Sequence, residues 1–271
     1  MVTKQKFRLP FMKMHGLGND FVVVDERGQP PRVTPDIVTA IADRHRGVGF
    51  DQFVVMTETD TADVHLTFYN SDGSTSAACG NATRCIARHL FDETGKAEAV
   101  IRTAHGLLPA LDAGDGLTSV NMGHARTRWD LIPLAEPTDT LELPIEGGPT
   151  ATSMGNPHCT FFVEDAEAVD LAEIGPRIEH HPLFPERTNV QFATLTGPNE
   201  LRMRVWERGA GITLASGSSS CATAVAAHRR GLVGDDVTIR LDGGDIRIRI
   251  APDGVWMTGP TAHVFDGEWI L

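Results

Sequence analysis

The stretch Ala78-Cys79-Gly80-Asn81-Ala82-Thr83-Arg84-Cys85 returns later in the chain as Ala215-Ser216-Gly217-Ser218-Ser219-Ser220-Cys221-Ala222, with Ser216 standing 137 residues after Cys79. Each copy leads into an Ala-rich run with helical composition. At the same displacement Gly18-Asn19 recurs as Gly155-Asn156, and each is soon followed by a strand-like run, Phe21 to Val24 and Thr160 to Val163. Gln52 likewise pairs with Asn189 and Asn70 with Glu207, where Phe68-Tyr69 aligns with Val205-Trp206. Ordered coincidences at one offset, close to half the chain, imply a duplicated fold.

Short β-branched runs alternate with turns in each half, as at Val64 to Tyr69, Val237 to Leu241 and Ile246 to Ile250, the last two forming a hairpin around Asp242-Gly243-Gly244. Helices are expected over Pro35 to Arg44, Asn81 to Phe91, Leu171 to Ile178 and Ser219 to Arg230. The fold class is therefore mixed α/β: two pseudo-symmetric domains, each a strand-rich, barrel-like sheet around a central helix. The polar, Gly-rich stretch Asp112 to Gly123 supplies the seam. It gives an N-terminal domain over residues 1–122 and a C-terminal one over 123–257, with residues 258–271 returning to the first.

A chain of 271 residues with 41% hydrophobic content can bury a sizeable core in each half. Its formal charge of −12 repels phosphate backbones and anionic lipid, so neither nucleic acid nor a membrane is an expected partner. No apolar run reaches the roughly 18 residues of a bilayer span, Met1 to Met14 included, and a soluble cytoplasmic protein is expected. Cys79, Cys85, Cys159 and Cys221 form no CxxC pair or zinc spacing, so no metal is expected and the thiols should be reduced. Cys85 and Cys221 fall inside helices and Cys159 begins a strand, which makes all three packing residues. His180-His181 cap or follow a helix.

Cys79 differs because it lies just ahead of a helix, where free N–H groups and the positive dipole end favour a thiolate. The same N–H groups, made approachable by Gly80, can hold a carboxylate. Duplication supplies a second such terminus at Gly217-Ser218. One acid/base group on each face of a carbon suits stereoinversion of an amino acid without flavin or pyridoxal phosphate, so no cofactor is expected. The α-carbon acid is weaker than a thiol by roughly ten pKa steps of about 1.36 kcal/mol each, so donors aimed at the carboxylate must supply much of the difference. Taken singly, these residues have plainer uses: Asn and Gly in turns, His158 in a solvated loop, Glu207-Arg208 as a surface ion pair.

Seven ordered blocks spread over the chain carry a resemblance: His15-Gly16-Leu17-Gly18-Asn19-Asp20-Phe21, Gly49-Phe50-Asp51-Gln52, Tyr69-Asn70-Ser71-Asp72-Gly73-Ser74, Ala78-Cys79-Gly80-Asn81, Gly155-Asn156-Pro157-His158, Arg187-Thr188-Asn189-Val190 and Trp206-Glu207-Arg208-Gly209-Ala210-Gly211. In these blocks the chain resembles diaminopimelate epimerase, an isomerase of lysine biosynthesis that needs no pyridoxal phosphate and interconverts LL- and meso-diaminopimelate with two bases. The resemblance implies paired mixed α/β domains with the active site in the cleft between them, a small amino-acid substrate and a homodimer. It implies Cys79 as a catalytic base/acid and Asn19, Gln52, Asn70, Asn156 and Asn189 as substrate-holding amides. Gly80-Asn81 and Gly217-Ser218 would be the carboxylate-binding helix termini, Arg208 a partner for a substrate carboxylate, and His158 and Glu207 the tuning residues, Glu207 also touching substrate.

One position departs from that pattern: Ser216 stands where the family carries its second catalytic cysteine, and a hydroxyl is far less acidic than a thiol. Ser218-Ser219-Ser220 and Ile212 also depart from it. Three readings stay open on sequence: an epimerase with activity impaired at Ser216, a hydroxy-amino-acid dehydratase of the same superfamily, and a non-catalytic amino-acid binding protein. The blocks outside position 216 favour the first.

Overall fold

The computed structural model describes residues 8–76 and 79–270; Ala78 of the cysteine block, and residues 1–7 of the N-terminal stretch, lie outside the described residues. The chain divides into two compact units, one running to Thr118 and resuming at Thr261, the other Ser119–Pro260.

The first unit opens with β1 (Arg8–Gly16) and β2 (Asn19–Asp25), joined by Leu17-Gly18. Both linking residues have positive φ, 57° and 85°, the two-residue hairpin geometry that matches strand twist. Asn19 is thus delivered directly from a tight turn. There follow α1 (Pro35–Ala42), β3 (Gln52–Thr57), β4 (Val64–Asn70), β5 (Thr75–Ser76), α2 (Gly80–Thr94), β6 (Glu98–Thr103) and β7 (Gly106–Gly114). Strand β3 runs parallel to β2, with Phe21 beside Gln52, and antiparallel to β4, with Gln52 beside Asn70. Strand β6 runs parallel to β4 and antiparallel to β7.

The second unit repeats this order. After β8 (Leu117–Asn121) come β9 (Thr150–Ser153), β10 (Pro157–Phe162), α3 (Leu171–Glu179), β11 (Asn189–Gly197), β12 (Glu200–Glu207), β13 (Gly211–Ile212), α4 (Gly217–Arg229), β14 (Asp236–Leu241), β15 (Gly244–Ala251) and β16 (Gly254–Pro260). Again β10 and β11 are parallel, with His158 beside Asn189, and β11 and β12 antiparallel. Strand β14 is parallel to β12 and antiparallel to β15, giving the hairpin expected at Asp242-Gly243-Gly244. Strand β8 pairs with β16. The last strand, β17 (Ala262–Ile270), pairs antiparallel with β1 in the first unit.

Strand alternation puts two different surfaces on each sheet. In the first unit Val22, Val24, Phe53 and Val55 face α1, packing with Val38 and Ile41. Phe21, Val23 and Val54 point to the other face and are fully buried. In the second unit Cys159, Phe161, Val190 and Phe192 face α3, joining Leu171 and Leu183. Helices α2 and α4 are buried along most of their length, Gly80 to Ala87 and Ser219 to Ala227 included, so they are central helices with little solvent face. The expected helices all form, within two or three residues of the expected ends.

Candidate active site

In the first unit Cys79 is the N-cap of α2, with extended backbone (φ −146°, ψ 104°), and its Sγ accepts from Ala82 N at 3.4 Å. The sulfur therefore takes the capping place of an oxygen and lies among N–H groups that favour negative charge. Its thiol is 3.9 Å from Asn19 Oδ1, which also accepts from Asn81 Nδ2 at 3.2 Å. Asn19 is oriented from behind by Asp51, whose Oδ2 accepts from Asn19 Nδ2 at 2.8 Å. Asp51 is in turn paired with Arg44, which together with Lys13 also holds Asp20. Burial alone would raise the Asp20 carboxyl, but hydrogen bonds from Arg44 and Lys13 outweigh it and hold it at about 2. Gln52 and Asn70 lie side by side across β3 and β4, donating to Ser76 Oγ (3.2 Å) and Ser74 Oγ (3.0 Å).

In the second unit Ser216 is the N-cap of α4, with matching backbone (φ −135°, ψ 115°), yet its side chain caps no backbone N–H. Its Oγ donates to Glu207 Oε2 at 2.8 Å and lies 2.9 Å from Ser219 Oγ. Thr213 donates to the other oxygen of Glu207 at 2.6 Å. His158 is fully buried beside this group, its Nδ1 receiving Gln191 Nε2 at 3.1 Å and its Nε2 2.9 Å from Asn156 Oδ1. Burial, and then the nearby Arg208 charge, push the imidazole down to about 3, so it is neutral at ordinary pH. Asn189 is held at both ends, Nδ2 on Pro157 O and Oδ1 on Arg208 N, each at 3.0 Å. The Arg208 guanidinium rests on Glu186 O at 3.0 Å.

The diaminopimelate epimerase family profile matches residues 11–128 and 150–264, one span in each half. The chain belongs to the diaminopimelate epimerase family. It is 52% identical over 264 residues to the diaminopimelate epimerase of Acidiphilium cryptum, covering 96% of this chain and 95% of that one. To the one of Rhodospirillum centenum it is 54% identical over 265 residues, covering 95% and 91%. Among solved structures its fold resembles a hydroxyproline epimerase of Agrobacterium vitis (TM-score 0.65, 15% identity, 100% and 94% covered). It also resembles a PhzF-family phenazine biosynthesis protein of Bacillus anthracis (TM-score 0.66, 14% identity, 98% and 100% covered).

The family blocks converge within each unit. Asn19, Cys79 and Asn81 are joined by hydrogen bonds, with Gln52 and Asn70 paired nearby in register; Asn156 and His158 are joined, as are Ser216 and Glu207. Gly80 and Gly217 open their helices, followed by Asn81 and Ser218. His158 lies in β10 with no solvent exposure, and Glu207 bonds to hydroxyls while Arg208 bonds elsewhere, so neither the loop nor the ion-pair reading holds. Burial pushes the Cys85 thiol up to about 12 and the Cys159 thiol well above its usual range, which leaves both unreactive. His180 follows α3, its Nδ1 2.9 Å from Pro176 O. Among the described residues no cluster of His, Cys, Asp or Glu could hold a metal ion, and no helix is long and apolar enough to cross a membrane.

Residue-by-residue reading of the sequence missed Asp51, Thr213, Gln191 and Ser219 as members of the site. A signal for Gln191 was present. His158, Thr160, Asn189 and Gln191 are polar at every second position of strands whose alternate residues are Cys159, Phe161, Val190 and Phe192. A polar stripe on the inner face of a buried strand must meet polar partners.

Proposed function

We propose that this chain acts on diaminopimelate as a cofactor-independent epimerase, with Cys79 as the base that takes the α-proton. The carrying observation is Cys79 as N-cap of α2, its sulfur accepting a backbone N–H where a thiolate is favoured and Asn19 within reach. The N–H groups of Gly80 and Asn81, and of Gly217 and Ser218 in the second copy, are suited to a carboxylate and would stabilise charge developing on it. Asn19, Gln52, Asn70, Asn156 and Asn189 supply amides for the amino and carboxylate groups. Arg208 would leave the Glu186 carbonyl to pair with a substrate carboxylate. A substrate with a second amino-acid end needs such a set, because polar groups left unpaired by a simpler amino acid reject it strongly.

Ser216 occupies the second acid/base position. Its proton is directed to Glu207, so it is a poor source of a proton for the substrate carbon and a poorer base than a thiolate. We therefore propose slow inversion with faster α-proton exchange on the Cys79 side, by a cytoplasmic homodimer serving lysine biosynthesis. The test is deuterium uptake at Cα of LL- and meso-diaminopimelate in heavy water, alongside the stereochemical outcome, for this chain and its Ser216→Cys variant. Exchange by both, with much faster inversion by the variant, supports the reading; no exchange by either overturns it.

A further inference from the structure

A hydroxyl carries one proton, an ionised carboxylate none and a primary amide two, and this orders the contacts behind Ser216. Glu207 Oε2 accepts, so the 2.8 Å contact uses the Ser216 proton. One Ser216 proton cannot serve both Glu207 and Ser219; with it on the carboxylate, the 2.9 Å contact falls to the Ser219 hydroxyl, whose other neighbour, His158 Nδ1, stands farther off at 3.5 Å. With that proton spent, Ser219 Oγ accepts at 3.0 Å from Gln191, which puts the amide nitrogen on that side. Gln191 Oε1, on the other side, accepts from Thr160 at 3.1 Å. The same Gln191 nitrogen stands 3.1 Å from His158 Nδ1, so that ring nitrogen is the unprotonated one. The single imidazole proton lies on Nε2 and goes to Asn156 Oδ1 at 2.9 Å, which turns the Asn156 amide nitrogen away from the ring.

We infer that Glu207 sets the tautomer of His158 and the amide orientation of Asn156 through Ser216, Ser219 and Gln191, with Gln191 and Ser219 as positioning residues. The charges facing this group agree with the order: Arg208 opposes an imidazolium, and the Glu207 carboxylate accepts from the Thr213 and Ser216 hydroxyls. In the first half the positions 137 residues before Gln191 and Ser219 are the apolar Val54 and Ala82. The consequence for substrate rests on the epimerase reading: Asn156 offers N–H donors, the groups a substrate carboxylate needs.

The test is long-range nitrogen–proton NMR of histidine-labelled full-length protein, with the His158 signals assigned through a His158→Gln variant. The native protein should show a protonated Nε2 and an unprotonated Nδ1. Gln191→Glu replaces the donor by an acceptor and should place a proton on Nδ1 as well, giving an imidazolium near neutral pH. Ser219→Ala cuts the relay and should give a mixture of tautomers. It should also raise KM for diaminopimelate by about two- to tenfold, the worth of one neutral hydrogen bond, with a smaller effect on the saturated exchange rate. A native Nδ1–H form overturns the inference, as does a Ser219→Ala protein with an unchanged tautomer. If Gln191→Glu fails to fold, Ser219→Ala decides. Expected spectra with no exchange on diaminopimelate would leave the ordering standing and remove the epimerase reading.

Discussion

The two helix N-termini share a backbone and differ in what lies behind them. Cys79 and Ser216 are both extended N-caps, and each cap carbonyl receives a hydroxyl from four residues on, Thr83 and Ser220, at 2.8 Å. In the first unit the positions 137 residues before His158, Thr160, Gln191 and Ser219 are Phe21, Val23, Val54 and Ala82, all buried and apolar. Their four counterparts in the second unit are all buried and polar. The sulfur of Cys79 caps its helix by accepting Ala82 N; the Ser216 hydroxyl turns instead to Glu207 and Ser219. One duplicated frame thus presents a thiol that accepts a backbone N–H and a hydroxyl bonded to a carboxylate and a second hydroxyl.

Exchanging the cap residues should break the comparison most. Cys79→Ala should lower deuterium uptake at Cα by about 10²–10⁴-fold, the usual worth of a positioned acid/base group, whereas Ser216→Ala should leave exchange from the Cys79 side largely in place. Equal losses in both variants would show that the two caps are not functionally distinct.

Acid should separate the units next. His158 has a folded value near 3 against an ordinary 6.5, so the unfolded chain binds the extra proton. Stability from keeping it neutral is complete above about pH 6.5 and is lost as the pH falls towards 3, by up to about 5 kcal/mol. Asp20 of the first unit has a depressed value of about 2 against 3.8. Its contribution, about 2 kcal/mol at most, is complete above 3.8 and is lost as the pH falls through 2. Hydrogen exchange followed by mass spectrometry between pH 7 and 4 should therefore show β10, β11 and α4 losing protection before β2 and β3.

Grafting the polar wall into the first unit should be costly. Val54→Gln would bury an amide at a position with no solvent exposure, and denaturant unfolding should show a loss of about 2–4 kcal/mol. A loss below 0.5 kcal/mol would mean that this wall is open to water. The smallest effect should be the shared one: Thr83→Ala and Ser220→Ala each remove one hydrogen bond to a cap carbonyl and should cost similar amounts, about 0.5–1.5 kcal/mol.

Much of this is legible in the sequence. The 137-residue displacement aligns Asn19 with Asn156, Gln52 with Asn189 and Cys79 with Ser216, and the elements follow the same spacing, from α2 at Gly80 to α4 at Gly217. Gly80 and Gly217 at helix starts were readable because such termini have a local chemistry. The partner of a side chain is not local. Taken alone, His158 after a proline reads as a solvated loop residue, and it is the parallel pairing of β10 with β11 that brings it beside Gln191 and buries it. Likewise Glu207-Arg208 reads as an ion pair until β12 sends Glu207 to Ser216 and Thr213.

What the amino-acid sequence determined by itself was therefore the duplicated frame, the central helices, the cap positions and the family, since periodicity, turn residues and ordered blocks are written along the chain. What only the tertiary structure decided was the company each side chain keeps: the sulfur of Cys79 beside Ala82 N and Asn19 and, in the second unit, the contacts that link Glu207, Ser216, Ser219, Gln191, His158 and Asn156. The reason is physical. A proton's place on an imidazole or a hydroxyl depends on every acceptor within reach, and these come from different strands and helices, 33 residues apart for His158 and Gln191 and 28 for Gln191 and Ser219.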